Sequence, residues 1–262
     1  MIAAWWEALR QRRERRSLER RAIDEVLWRL ALSRLPFLAS RSADELQRLR
    51  RLASLFLDSK EFHGAGGFIV EDATALSVAV QASLPVLELG IDQYDAFVGI
   101  VMYADAVVAK REVVDEDGVV HRYDEVLAGE AMEGGPLMLS WADVQGTDRV
   151  EPASTAYNVV IHEFAHVLDM RDGQADGVPL LPSRQQREDW LAVLMPAYDR
   201  FCERTVCGHE SVLDAYAAEA PDEFFAVASE AFFVTPSPLK AEQPDVYRLL
   251  MSYYRQDPAA LA

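Results

Sequence analysis

The residues with the clearest chemical potential are two histidines and a glutamate within one apolar stretch. His162, Glu163 and His166 lie between the apolar segments 156–161 and 167–168. Because four residues span just over one helical turn, a helix would place both imidazoles on one face, where each can bind one zinc ion. Glu163 lies about 100° around the helix from His162, close enough to act as a general base without being a ligand. This HExxH pattern is typical of zinc metallopeptidases.

The residues after the motif narrow the class of zinc site. Asp169 and Asp172 stand where the metzincin pattern HExxHxxGxxH requires Gly and His, so that class is excluded. Asp169, three residues after the second histidine, is instead expected to orient a ligand through a hydrogen bond. Cys202 and Cys207 lack the partners and the spacing of known zinc modules, and we interpret them as ordinary thiols.

A catalytic zinc ion needs a third protein ligand, and a Glu from a later helix is a common one. The segment 216–230 offers Glu219, Glu223 and Glu230. Glu223 and Glu230 are seven residues apart and share a face of a helix predicted to begin at Pro221, whereas Glu219 precedes that proline. Spacing alone leaves the choice open, although a supporting role suits Glu230 better than ligation.

The elements that must position these residues follow from apolar periodicity. Helical spacing predicts helices over 4–35, 42–57, 71–84, 155–170, 185–203, 221–233 and 245–254. Strands are predicted over 97–103 and 136–140, with a hairpin of 107–113 and 118–123 around the turn 115–118. We expect the strand 136–140 to run beside the cleft and hold an extended peptide by edge pairing.

This order of elements predicts an α+β fold, mostly helical, with a small mixed sheet beside the motif helix in a zincin-like peptidase domain. The predicted division is an N-terminal helical arm over residues 1–60 and the peptidase domain over 61–262. The arm begins with seven arginines against three glutamates in residues 1–21, and it is interpreted as a solvated helical segment.

Composition restricts the partners of the chain. The net charge is −17 over 262 residues, and half of the residues are hydrophobic. A protein with this negative charge repels phosphate groups, and direct binding of nucleic acid is therefore not expected. No apolar run approaches the roughly 18 residues that a membrane span needs. The start is not typical of a secretory signal, so a cytoplasmic location is expected.

Several segments resemble a known family. The resemblance rests on residues 84–87, 115–120, 129–131, 135–136, 162–169 and 216–230. They are similar to the Mlc titration factor A family of cytoplasmic zinc peptidases, whose catalytic core is related to the protease domain of anthrax lethal factor. In that family a Tyr seven residues before the ligand Glu lies beside the metal. The same step joins Tyr216 to Glu223, so the resemblance implies Glu223 as the third ligand of one zinc ion per chain, with His162 and His166.

Three functions remain open at this level. The resemblance favours an aminopeptidase-like enzyme for peptide substrates, in which Glu163 moves the proton and Tyr216 hydrogen-bonds the oxyanion. The same resemblance implies an alternative, a regulatory protein that sequesters a transcriptional repressor of sugar uptake. A zinc hydrolase that does not cleave peptides is the third, because HExxH positions a water without dictating which carbonyl is attacked.

Overall fold

The helices occupy most of the chain. The structure, a computed structural model, describes residues 5, 12, 14–114, 120–131, 134–146 and 156–261. Its α-helices are α1 Glu25–Ser33, α2 Ala43–Ser59, α3 Asp72–Ser83, α4 Trp141–Gly146, α5 Val159–Asp169, α6 Arg184–Val206, α7 Pro221–Val234, α8 Pro236–Glu242 and α9 Pro244–Tyr254. Within these ranges no helix is long and apolar enough to cross a membrane.

The strands form two separate sheets. They are β1 Glu61–Gly64, β2 Gly99–Tyr103, β3 Val107–Val114, β4 Val120–Leu127, β5 Gly129–Ala131 and β6 Leu137–Ser140. Four of them form a mixed sheet in the order β1-β2-β6-β5, in which β5 alone is antiparallel to its neighbour. The predicted hairpin is confirmed as the antiparallel pair β3 and β4, while its predicted turn falls in residues 115–119, outside the described ranges. The α+β class is therefore confirmed.

Local signals explain where the helices around the site begin. Ser42 and Glu45 form a capping box at the start of α2. Pro221 occupies the first turn of α7, as predicted, because a residue without an N–H suits the position where no partner carbonyl exists.

The predicted continuous helix over 4–35 is wrong. Residues 21–24 are not helical, and the carboxylate of Asp24 accepts hydrogen bonds from the N–H groups of Val26 and Leu27. An Asp that satisfies these otherwise unpaired donors starts a new helix, and apolar spacing does not detect that interruption. The structure also contains β1, β5, α4 and α8, which the sequence pattern did not predict.

The motif helix α5 lies at the centre of one hydrophobic core. Phe164 on α5 is fully buried and its ring contacts those of Phe56, Tyr94 and Phe97. Helices α3 and α7 and strands β5 and β6 all pack against α5. Because Phe56 belongs to α2, the N-terminal helices share this core; the division at residue 60 stays a prediction.

Candidate metal centre

Three ligand atoms from α5 and α7 converge. Nε2 of His162 lies 3.1 Å from Nε2 of His166. Oε2 of Glu223 lies 3.1 Å from Nε2 of His162 and 3.4 Å from Nε2 of His166. The helical spacing of the histidines and the packing of α5 against α7 therefore bring the three predicted ligands together.

The size and chemistry of this cluster fit a tetrahedral zinc ion. Zinc with ligands at about 2.0–2.1 Å keeps neighbouring ligand atoms about 3.3 Å apart, close to the three separations observed. Oε2 of Glu223 is buried, yet it has no hydrogen-bond partner among the described residues. A buried carboxylate oxygen without a donor is costly, and a cation between it and the two imidazoles removes that cost. Two histidines and one carboxylate also match the donors that zinc prefers.

A carboxylate behind His162 fixes the orientation of its ring. Nδ1 of His162 lies 2.8 Å from Oε1 of Glu230, whose other oxygen accepts a hydrogen bond from the backbone N–H of Asn158. An ionised carboxylate only accepts, so the neutral form of the imidazole, which is the form that can bind a metal ion, carries its proton on Nδ1 and directs the lone pair of Nε2 at the cluster. Glu230 is therefore a supporting residue and not a member of the converging triad, as predicted.

Asn158 joins this pair to the rest of the protein. Its Oδ1 caps α5 by accepting from the N–H of Ile161 at 2.9 Å, and its Nδ2 donates to Oε1 of Gln81 at 2.8 Å. Gln81, on α3, is itself held by the carbonyl of Ser77. The polar groups of Gln81, Asn158 and Glu230 are buried and mutually paired, so the N-terminal end of α5 is rigidly positioned.

The charged groups of the cluster shift the pKa values of its members. Burial disfavours an imidazolium, but the carboxylates of Glu223 and Glu230 outweigh it and raise the pKa of His162 well above its ordinary value. Burial would raise the pKa of Glu223, but the neighbouring His162 and His166 lower it far below its usual range. The pocket therefore holds Glu223 as a carboxylate and favours a positive charge next to it.

Glu163 lies beside the ligands without joining them. Its side chain is buried, and burial raises the pKa of its carboxyl although His162 and His166 act in the opposite direction. A backbone hydrogen bond from Ala131 of β5 also reaches this carboxylate. Gly129 lies so close that a Cβ there would be 2.4 Å from Oε1 of Glu163. A glycine at 129 is thus what leaves room for Glu163.

Tyr216 flanks the cluster on its open side. It belongs to a short 3-10 helix, Ala215–Ala218, and its own N–H donates to the carboxylate of Asp214, the N-cap residue. The hydroxyl of Tyr216 donates to Oε1 of Glu223 at 3.4 Å, its ring lies 6.1 Å from that of His162, and the side chain is 41% exposed. The structure therefore places Tyr216 beside the candidate ligands and within reach of a bound molecule.

The expectation that Asp169 orients a ligand is wrong in this structure. Oδ2 of Asp169 accepts a hydrogen bond from the N–H of Gly177 at 2.9 Å, and Oδ1 has no partner among the described residues. Burial raises the pKa of Asp169 to about 7. Asp169 lies three residues after His166 and is therefore near it, but the carboxylate of Asp169 points toward the loop after α5.

Two cavities meet at the candidate ligands. One, of about 210 Å³, is lined by Glu130, Met170 and Asp222 together with the triad. The other, of about 420 Å³, is lined by Tyr157 and Glu230. Both reach Glu163, so together they form a cleft that crosses the cluster, which we call the central cleft.

The strand beside the central cleft is β5, and the prediction that 136–140 provides the edge is wrong. Strand β6 is paired on both sides, with β2 and with β5, so its backbone groups are already used. Strand β5, Gly129–Ala131, is the edge of the four-stranded sheet and lines the cleft. A three-residue strand that contains glycine shows no alternation, so the periodicity of the sequence did not reveal it.

The class of the protein follows from its family. An α+β domain with two histidines and a glutamate converging beside a second glutamate is the arrangement expected of a metal-dependent hydrolase. Residues 9–255 match the family model described as glucose-regulated metallo-peptidase M90. The chain therefore belongs to this metallopeptidase family, which implies a metal ion.

Individual relatives confirm the resemblance over most of the chain. Mlc titration factor A of Pectobacterium atrosepticum is 37% identical over 236 residues, which cover 89% of this chain and 87% of that protein. Mlc titration factor A of Enterobacter sp. is 37% identical over 234 residues, covering 88% and 86%. An uncharacterized protein of Synechocystis sp. is 36% identical over 234 residues, covering 88% and 84%.

Proposed function

We propose that this chain is a zinc-dependent peptidase with a zincin-like fold, whose metal ligands are His162, His166 and Glu223. The convergence of three ligand atoms on one point, with Oε2 of Glu223 buried and unpaired, is the observation that carries this proposal. Membership of a metallopeptidase family supports the same conclusion.

A zinc ion in such a site polarises a carbonyl and lowers the pKa of a bound water from about 15.7 toward about 7. The residues of the chain do the rest. Glu163 takes a proton from the attacking water and returns it to the leaving amine, and its raised pKa suits a group that alternates between these states. Glu230 holds His162 in one tautomer throughout.

Tyr216 and the size of the cleft refine the proposal. In this proposal the hydroxyl of Tyr216 donates a hydrogen bond to the carbonyl oxygen as negative charge develops on it, a contact worth about 3 kcal/mol in comparable sites. The two cavities that meet at the triad suit short extended peptides. An aminopeptidase-like activity is the one that the family resemblance implies, and it is our proposal for this chain.

Metal analysis with matched variants tests the proposed site. Purified protein is expected to contain about one zinc ion per chain, and His162→Ala should lose it because one ligand is removed. His209→Ala is the control, since His209 is exposed and distant in sequence from the motif. Equal zinc content in all three proteins would reject the site.

A second variant separates metal binding from catalysis. Glu163→Gln is expected to keep zinc and to lose at least about 100-fold in the hydrolysis of short peptides with a free amino group, because the amide cannot accept the proton. Unchanged peptide hydrolysis would reject Glu163 as the base. Hydrolysis of esters with no cleavage of any peptide would instead favour a zinc hydrolase of another class.

The names of the relatives favour a second function. Two of them are called Mlc titration factor A, which describes sequestration of a protein named Mlc. A protein with this role would bind a transcriptional repressor from its own cytoplasm. Calorimetric titration of a repressor of that type from the same organism against wild type and Glu163→Gln tests the idea. Binding by both proteins without cleavage supports sequestration, and absence of binding rejects it.

A further inference from the structure

A large cavity between helices α6 and α9 lies apart from the central cleft. Its volume is about 670 Å³, within the range usual for small-ligand sites. None of the described residues lines both this cavity and either cavity of the central cleft. We call it the α6–α9 pocket. Its lining is therefore not used by the proposed peptidase chemistry, and it needs an explanation of its own.

Apolar and aromatic side chains form much of the wall of the α6–α9 pocket. Leu181, Leu249, Trp190 and Tyr253 all contribute to it. The indole N–H of Trp190 donates to the carbonyl of Gly177 at 2.9 Å, and the rings of Trp190 and Tyr253 meet edge to face with centroids 5.7 Å apart. These contacts hold both rings in place, so the apolar part of a ligand would be removed from water against a preformed surface.

The charged groups of the α6–α9 pocket are mostly positive. Arg171 and Arg255 both line it, and Asp189 is the one carboxylate among its lining residues. The guanidinium of Arg171 donates a hydrogen bond to Oε1 of Gln93, and the described residues place no carboxylate within ion-pair distance of either arginine. The carboxylate of Asp189 accepts a hydrogen bond from Nε2 of Gln185 at 2.9 Å. In a chain with a net charge of −17, this pocket attracts anions.

The position of Arg255 is not explained by its backbone. Arg255 ends α9 with a φ of 55°, and among the described residues it is the only one besides glycines with a positive φ. Gly or Asn is the usual residue in this conformation, because a longer side chain is strained there. Its guanidinium makes no hydrogen bond with the described residues that would offset the strain. A contact with a bound anion would do so.

Tyr253 adds a neutral donor to the two arginines. Burial raises the pKa of Tyr253, and the positive charge of Arg171 acts in the opposite direction. The phenol therefore keeps its proton at neutral pH. Its hydroxyl has no hydrogen-bond partner among the described residues, so it is available to a ligand.

We propose that the α6–α9 pocket binds a small amphipathic anion, in which a carboxylate or phosphate group is attached to an apolar body. The guanidinium groups of Arg171 and Arg255 bind the anionic group, and the apolar walls bind the body. Guanidinium matches the geometry of carboxylate and phosphate equally well, so the pocket does not choose between these two anions by charge alone. The inference is independent of the proposed peptidase function.

Two fluorescent probes with the same apolar body test the proposal. The probe 8-anilino-1-naphthalenesulfonate carries a sulfonate, and N-phenyl-1-naphthylamine is the same molecule without it. Zinc-loaded wild type should bind the sulfonate probe at one saturable site, at least about tenfold more tightly than the neutral probe, because charge-assisted hydrogen bonds are added. The same affinity is expected after the zinc is removed with a chelator. Binding that disappears with the zinc would assign the anion to the metal and overturn the proposal.

Competition identifies the anionic group. Octanoate and octyl phosphate should displace the sulfonate probe, whereas inorganic phosphate at the same concentration should not, because it has no apolar body to bury. Displacement by one or both of the amphipathic anions supports the proposal and shows which group is preferred. Equal displacement by inorganic phosphate would reduce the site to one for simple anions and overturn it.

Variants with matched controls locate the binding. Arg255→Asn suits the positive φ and removes the charge, so the Kd of the sulfonate probe should rise about tenfold while that of the neutral probe changes less than about twofold. Ser252→Trp fills the pocket and should weaken both probes, since Ser252 is exposed on its lining. Arg248→Asn and Arg248→Trp are the controls, because Arg248 is exposed on the same helix, pairs with Asp245 and does not line the pocket.

Three further results would overturn the proposal. They are equal affinity of wild type for the two probes, an unchanged affinity for the sulfonate probe in both Arg255→Asn and Ser252→Trp, and equal losses in the Arg248 controls. Loss of peptide hydrolysis in any zinc-loaded protein does not bear on this site, so the fate of the proposed peptidase function is decided separately.

Discussion

The two halves of the motif helix are held in different ways. In the N-terminal half, the imidazole of His162 has a carboxylate behind it, and Asn158 connects that carboxylate to α3. In the C-terminal half, His166 has no carboxylate behind its Nδ1 among the described residues. Asp169, one turn further, leaves one buried oxygen unpaired. The protein thus supplies a charged hydrogen-bond partner for the imidazole in the N-terminal half, and the described residues supply none for the imidazole in the C-terminal half.

This difference indicates which residues are positioned before a metal arrives. A ligand whose second nitrogen is hydrogen-bonded to a carboxylate is both oriented and made more basic. His162 fulfils this condition, whereas His166 and Glu223 contact each other only through the point where the ion would bind. We therefore expect the N-terminal half, with Glu163, to be sensitive to small structural changes and the C-terminal half to tolerate them.

The largest effect is expected from Gly129→Ala. A Cβ at this position would lie 2.4 Å from Oε1 of Glu163, so the carboxylate must move by a substantial fraction of an ångström or more. Misplacement of a catalytic group by about 1 Å can cost about 100-fold in rate. We expect kcat/KM for a short peptide to fall about 100-fold while the zinc content is retained.

The control for this variant is Gly146→Ala. A Cβ on Gly146 meets no atom of the described residues within 4 Å, so the substitution should leave activity unchanged. If Gly129→Ala is as active as wild type, the close approach of β5 to Glu163 has no catalytic importance. The sensitivity to small structural changes would then be limited to His162.

The second prediction compares the two carboxylates that flank the motif. Glu230→Gln is expected to weaken zinc binding about 10–100-fold, because the charged acceptor behind Nδ1 of His162 is lost. Asp169→Asn should change zinc affinity by less than about threefold, since Asp169 contacts no ligand. Competition with a fluorescent zinc chelator measures both constants. Equal losses of zinc affinity in Glu230→Gln and Asp169→Asn would contradict the proposed difference between the two halves of α5.

The third prediction concerns the stability of the helix start. Asn158→Ala removes a cap, worth about 1 kcal/mol, and also leaves the buried Oε1 of Gln81 without its donor. We expect the free energy of unfolding to fall by about 2 kcal/mol in denaturant titrations. Ser183→Ala removes the cap of α6 and an exposed hydrogen bond to Oε1 of Gln186, and about 1 kcal/mol is expected. A smaller loss for Asn158→Ala would show that its contacts with Gln81 contribute nothing.

The contacts that fix the N-terminal half are also the ones that the sequence did not reveal. The motif helix was predicted over 155–170 and is observed over Val159–Asp169, because apolar periodicity is a local signal. Gln81 is 77 residues away from Asn158, and no spacing rule relates them. An Asn just before an apolar run is a sequence signal for an N-cap, so the hydrogen bond of Asn158 to the backbone could have been predicted. Its hydrogen bond to Gln81 could not.

The choice of ligand shows a related limit. Glu223 and Glu230 share a face of α7, and spacing could not separate the ligand from the supporting residue. In the structure Glu223 is in the first turn and reaches Nε2 of His162, while Glu230, two turns later, reaches Nδ1 of the same ring. Which nitrogen each carboxylate meets depends on how α7 crosses α5, and tertiary packing decides that.

The last and smallest effect is the pH dependence that Asp169 gives to folding. Burial raises the pKa of Asp169 to about 7, whereas an unfolded chain has about 3.9. The native state therefore binds a proton that the unfolded state does not, so this contribution to stability is complete below about pH 4 and is lost as the pH rises through 7. The neighbouring Asp176 and Asp222 raise the pKa further, and His166 lowers it.

Asp169→Asn removes this titration and keeps an oxygen that can accept from the N–H of Gly177. Relative to the variant, wild type should lose about 1.4 kcal/mol of unfolding free energy between pH 6 and pH 8. Urea unfolding in the presence of a chelator measures both proteins without a contribution from metal binding. Parallel pH profiles would show that the unpaired oxygen of Asp169 has no energetic cost, and the C-terminal half of the motif helix would then be as well satisfied as the N-terminal half.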